Sequence, residues 1–166
     1  DLFNAGAVLV QGLEFLVNYD LLQSKNKVSL PLTFGYTLTD TSFKNSFDAS
    51  EGLWGDVSIG DEMPYIAKHQ WHISMGYTKG KLSLNTQVRH MSAIRTVAGQ
   101  GPMIAENMVG ANTIVDASIH YQYNSKLRLQ TNIINLFNST YEVSRVPFGL
   151  RPGHPLGINI GLRYNL

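Results

Sequence analysis

Cysteine is absent from the 166 residues, which removes disulfide frameworks, thiolate metal sites and cysteine nucleophiles together. Nowhere do about 18 apolar residues run on, so no transmembrane helix is encoded. Charge of one sign is also missing. The 13 Lys and Arg against 12 Asp and Glu give a net +1, which leaves no basic footprint for nucleic acid. No secretion signal opens the chain, and Asp1 stands where a Met would. An internal start is expected, of a mature form or of a piece of something longer. The length suits one domain, and 1–166 reads as a single segment.

Catalytic signatures are missing too. There is no Gly-x-Ser-x-Gly elbow, no phosphate loop and no His-Glu-x-x-His. His69 and His72 are three apart, so on a strand they face opposite sides and cannot share a metal. His72 and His120 fall on one polar face but read as isolated imidazoles. Gly99-Gln100-Gly101 lacks the strand, turn and helix that give a dinucleotide fingerprint meaning. Asp56, Asp61 and Glu62 read as acids of a solvated loop. The expectation is a protein that is not an enzyme, with no metal site and no covalently bound cofactor.

What is present is alternation. In Gly157 to Leu166 every even position is apolar (Ile158, Ile160, Leu162, Tyr164, Leu166) and every odd one is small or polar. A period of two marks a strand with one greasy face, and about ten residues is what a tilted strand needs to cross a bilayer. The same pattern covers Gln11 to Leu21, Val28 to Thr39, Gln70 to Thr78, Lys81 to Arg89, Val115 to Tyr123, and a segment from Leu127 running on to about Val146. Pro31 cannot donate to a ladder, so an irregularity is expected beside it. The fold class is all-β, an antiparallel up-and-down meander of about seven strands.

The connections alternate. Short turns are expected at Gln23 to Lys27, Lys79-Gly80 and Asn124 to Lys126. Long segments run from about Lys44 to Lys68 and Arg95 to Ala111, and an intermediate one from Pro147 to Leu156. Tight turns at one end and long loops at the other are the asymmetry of outer-membrane barrels. Tyr19, Tyr77, Tyr121, Tyr123 and Tyr164 all fall on the apolar face near the short turns or the C-terminus. They suit a membrane-interface girdle, with rings in lipid and hydroxyls at the headgroups. The polar face is rich in Ser, Thr, Asn, Gln and Gly and poor in charge, which suits a lumen wall better than a surface in bulk water. At the long-loop ends, Arg95, Arg145 and Arg151, with Gln100 and His154 nearby, are candidates to ring a mouth and contact a carboxylate-rich ligand.

Several strings then resemble TonB-dependent outer-membrane receptors. Gly12-Leu13-Glu14 is similar to their Gly-(Val/Leu)-Glu segment, and Asn135-Leu136-Phe137-Asn138 with Tyr141 to their Asn-Leu-Phe-(Asn/Asp)-x-x-Tyr motif. Met63 to Gln70 resembles the run that leads into one of their strands. Ala98-Gly99-Gln100-Gly101, Ser144-Arg145 and Gly149 to Pro155 resemble the ferric-dicitrate-receptor-like subgroup. The resemblance implies a plugged barrel of about 22 strands that imports a ferric chelate, ferric dicitrate or another siderophore, with energy from TonB. This chain would supply the C-terminal barrel strands and loops. The implied partners are outer-membrane lipid, an N-terminal plug and the remaining barrel, and TonB through the missing N-terminal part, in the outer membrane of a Gram-negative bacterium. The chain ends in Leu166 where family members carry an aromatic residue. The alternative is a complete small β-barrel, either an outer-membrane protein or a soluble lipid binder.

Overall fold

The computed structural model describes residues 6–22, 28–48, 55–146 and 148–165. Seven long strands form one antiparallel sheet in chain order: β1 (Val8–Asp20), β2 (Pro31–Phe43), β3 (His69–Lys79), β4 (Leu82–Met91), β5 (Asn112–Gln122), β6 (Leu127–Ile134) and β7 (Gly157–Tyr164). A two-residue strand, Val28–Ser29, adds an eighth piece by pairing with β3. The meander is therefore the expected one. β1 and β7 stand at its two ends and do not pair with each other among the described residues, so the sheet is an open wall.

Alternation dictates which side is which. Directly paired residues share a face, so Phe15, Tyr36, Trp71 and His90 lie side by side on the apolar face. Gln70, His72, Gln87, Arg89, Asp116 and Asn132 lie on the other. Hollows of about 520 and 810 Å³ open on the polar side, which is the concave one. On the apolar side large side chains stand clear of the protein, Ile160 being 81% exposed. Trp71 stacks on His90 at 5.0 Å, and Tyr36 meets the His69 ring nitrogen at 2.8 Å.

The register carries a second message. One row of paired residues runs Tyr19, Leu32, Met75, Thr86, Ala117, Ile133, Ile158. It begins one residue from the turn end of β1 and finishes one residue from the long-loop end of β7. Measured from that row towards the turns, Tyr77 lies two residues beyond Met75, Tyr121 four beyond Ala117 and Tyr164 six beyond Ile158. The tyrosines therefore step one residue per strand. With about 3.3 Å per residue and about 4.8 Å between strands, such a step means a strand tilt of about 35°. At that tilt the four rings lie on one level, and Tyr123 lies just below them. From Tyr19 the greasy face continues to Leu13, above which Gln11 and Lys68 both donate to Asp40.

Several boundaries differ from the alternation pattern. The first tight hairpin turn is Gly80-Lys81 rather than Lys79-Gly80, because Lys79 pairs with Leu82. Pro31 opens β2 opposite Asp20, and its ring rests against Gly76, where a Cβ would crowd it. Asp20 accepts the Leu30 amide at 3.0 Å and the Ser29 hydroxyl at 3.0 Å, closing the break beside the proline. The sixth strand does not run to Val146. It stops at Ile134, because Asn135 takes φ +51° and turns the chain out of the sheet. The turn expected at Gln23 to Lys27 lies outside the described residues, as do Pro147 and Leu166.

Candidate functional site

The three long connections, 44–68, 92–111 and 135–156, all leave the sheet at the same end. A single sheet has no central core, and among the described residues the buried apolar side chains lie in these loops or, as with Phe43 and Ile114, at the strand ends beside them. Ala67, Ile94 and Val109 form one cluster, with Met91 packed against it. Phe43 meets Phe47 edge-on at 5.5 Å beneath the first loop.

Polar bonds join the first two loops. Arg95 donates from Nε to Glu62 at 2.6 Å and from Nη2 to the Gly101 carbonyl. Gln100 donates to Asp61 at 3.1 Å and to the Ile59 carbonyl at 3.2 Å. The Glu62 amide reaches the Gly99 carbonyl, and the Tyr65 amide the Arg95 carbonyl, both at 2.9 Å. Arg95 is nearly buried, so its pairing with Glu62 satisfies a charge that could not stay there alone. Thr96 is 1% exposed and its hydroxyl has no hydrogen-bond partner among the described residues.

The third loop is organised by Asn135. It is 0% exposed. Its side-chain amide donates to the Ser139 and His154 carbonyls and its carbonyl accepts the Ser139 amide, each at 2.9 Å. Asparagine tolerates the left-handed region, which suits φ +51° here and +50° at Asn138. Asn138 in turn accepts the Leu156 amide at 3.0 Å just before β7. The Asn-Leu-Phe-Asn string is thus a buried joint that sends the chain out of β6 and receives it again at β7. Tyr141 lays its ring over Gly153, where any Cβ would collide, and its hydroxyl meets the His154 amide at 3.3 Å.

Beyond the joint, Glu142–Ser144 pairs with Arg151–Pro152, making a short ribbon whose described tip residues are 145–146 and 148–150. Arg145 forks onto Glu142 at 2.8 and 3.0 Å. Hydrogen bonding to Arg145 holds the Glu142 carboxyl below its ordinary range and raises the guanidinium in return. Tyr65, 81 residues away, receives the Val146 amide on its hydroxyl at 2.9 Å. Burial raises the Tyr65 phenol, and the bonds from Val146, Ser144 and Arg145 outweigh it and leave the phenol below its ordinary range. Tyr65 holds φ +60°, a strain of about 1–2 kcal/mol for a side chain of this size, which its bonds across the loops offset.

Below the loops, the concave face holds a trough of about 810 Å³, bordered by Glu14, Gln70, His72, Arg89, Asn112 and Tyr141. His72 lies over Gly35, which must be bare to admit the imidazole. Arg89 meets Asp116 at 2.6 Å on the trough floor. A smaller hollow of about 260 Å³ lies between the second and third loops, beside Met108, Tyr141, Glu142 and Arg145. No group of three or more potential metal ligands gathers among the described residues.

The five residues expected at the mouth are all in the long loops, but they do not converge. Arg95 and Gln100 bind the first loop to the second, and Arg145 binds its own ribbon. His154 Nδ1 lies 2.6 Å from the Pro155 carbonyl, which fixes the proton on that nitrogen. Arg151 is exposed, with its guanidinium 5.3 Å from the Phe148 ring. Tyr19, Tyr77, Tyr121, Tyr123 and Tyr164 lie at the opposite end. Sequence reasoning missed Tyr65, Asn135 as a joint, and the trough. The trough was readable from parity, since Glu14, Gln70, His72, Arg89 and Asn112 share the polar phase near the long-loop ends.

Comparison with known proteins completes the picture. No curated protein sequence matches the chain. Among solved structures, the siderophore receptor PiuA from Acinetobacter baumannii is similar with a TM-score of 0.72 and 16% identity, over 95% of this chain and 22% of that one. The closed form of the ferric-catecholate import receptor Fiu from E. coli K12 gives 0.71 and 21%, over 93% and 20%. Its open form gives 0.56 and 16%, over 95% and 26%. The chain therefore spans about a fifth to a quarter of the receptors it matches. Residues 1–136 match the family described as TonB dependent receptor-like, beta-barrel, and the chain belongs to that family.

Proposed function

We propose that this chain is the C-terminal wall and mouth of an outer-membrane receptor that imports a ferric chelate, with energy supplied through TonB, in a Gram-negative bacterium. The observation that carries the reading is the two-faced sheet: a lipid-suited convex face with a level line of tyrosines, and a polar hollow beneath three interlinked loops. TonB-dependent receptor barrels are outer-membrane proteins, and the solved neighbours are a siderophore receptor and a ferric-catecholate import receptor. Within this reading the apolar face meets lipid, the tyrosine line marks the inner interface, and the concave wall encloses a plug supplied by the rest of the receptor.

The loop strings favour a ferric-dicitrate-like ligand, whereas one solved neighbour, Fiu, is a ferric-catecholate import receptor. Both are anionic iron chelates. Geometry weighs against dicitrate, because Arg95 and Arg145 already face carboxylates and offer little to a polycarboxylate. The test is uptake of radiolabelled iron by iron-starved cells that carry or lack the full receptor. Chelated iron should enter only with the receptor and an intact TonB system. Entry that is equal in both strains sinks the proposal.

A further inference from the structure

Resting on that transport reading, we propose that Phe148 and Arg151 form a capture point for a chelate that is both aromatic and anionic. Three arginines lie in the long loops, and two of them pair with carboxylates at 2.6 and 2.8 Å. Arg151 faces no carboxylate among the described residues. Its guanidinium sits instead over the Phe148 ring, 5.3 Å from the centroid, and that ring is 80% exposed.

The tip that carries the pair is braced. Arg151 is paired with Ser144 in the ribbon, Gly149 makes the bend with φ +84°, and Tyr65 holds the Val146 amide from another loop. A ring and a cation are thus stacked in advance on a held turn, which lowers the entropy lost when a ligand lands. Stacking on a cation occupies one ring face and leaves the other available to a flat π system. The guanidinium edge offers N–H groups to anionic oxygens. A ferric catecholate presents aromatic rims and negative charge together and uses both groups. Ferric citrate presents carboxylates without a ring and uses only Arg151.

The full receptor, purified in detergent, is titrated with ferric tris(2,3-dihydroxybenzoate) and separately with ferric citrate, with bound iron read by equilibrium dialysis. Phe148→Leu should weaken the catecholate about tenfold and leave any citrate binding within about twofold. Arg151→Gln should weaken whichever chelates bind. A Phe148→Leu receptor that holds the catecholate as tightly as the unaltered one, or loses both chelates equally, overturns the assignment. So does an unaltered receptor that binds only citrate. An unaltered receptor that binds neither chelate also overturns the assignment, whereas the transport reading falls only if the iron-uptake test fails, so the two failures are distinguishable.

Discussion

Asp116 holds the backbone amide of Asn135 with one carboxylate oxygen at 2.9 Å, while its other oxygen meets Arg89 at 2.6 Å. Asp116 therefore ties Arg89 of the trough to the joint of the last loop. Asn135→Ala would leave the Ser139 amide and two carbonyls without their partner, in surroundings that are half-buried and so let water meet part of the loss. Each stranded group costs about 1–3 kcal/mol, so a loss of about 2–4 kcal/mol is expected. Asn138→Ala removes one exposed bond and should cost about 1 kcal/mol. Urea unfolding of the receptor in detergent measures both. Equal losses would show that the joint is not where the loop is held.

Arg95 should matter to the loops and not to ligand contact. Arg95→Met strands Glu62 and the Gly101 carbonyl, and about 2 kcal/mol of local stability should go. Loops 44–68 and 92–111 would then open together, with proteolysis about 30-fold faster. Cleavage of one loop alone would contradict the bridge between them.

Tyr65→Phe keeps the ring and removes only the hydroxyl. Hydrogen exchange at the Val146 amide should speed by about tenfold, the equivalent of roughly 1.4 kcal/mol. Exchange in the β6 and β7 ladders should stay as it was. An unchanged Val146 amide would mean that the hydroxyl bond does not brace the tip.

The ribbon should loosen in acid. Arg145 keeps the folded-state carboxyl of Glu142 below its ordinary value. The stability of the pair is therefore complete above the unfolded glutamate pKa of about 4.3, and is lost as pH falls through the lower folded value. A spin label at position 148 should gain mobility across that window, and Glu142→Gln should be mobile already at neutral pH. A label equally rigid in both proteins at every pH would remove Glu142 from the bracing.

Facing can be tested on β7. Ile160→Arg places a charge on the convex face and should cost about 2–4 kcal/mol of bilayer stability. Asn159→Arg, one residue away on the polar face, should cost far less. If the two costs are alike, the convex face does not meet lipid.

Strands and turns were legible because burial on one face writes itself as period two, and a register slip would invert every side chain. Leu82 to Arg89 and Gln70 to Thr78 needed nothing more. The phase of the pattern slips at Ile133-Ile134, but two apolar neighbours do not say that the strand ends there, where Asn135 makes the exit. Asn135 itself could be recognised as part of a motif but not as a buried joint, since its partners Ser139 and His154 come together only after the chain has folded back. The arginines show the same limit from the other side. Arg95 and Arg145 have the chemistry of ligand contacts, yet partners in space, Glu62 and Glu142, determine what each can still bind. Arg95 lies 33 residues from its carboxylate, a pairing that no local reading contains.

The cross-loop bonds of Arg95 and Tyr65 bear on how such receptors can be recombined. A graft that transplanted only 92–111 would leave Glu62 without its guanidinium, and one that transplanted only 135–156 would leave the Tyr65 hydroxyl facing unfamiliar backbone. The three connections thus hold together as one cassette, and chimeras that exchange all three should assemble where single exchanges fail.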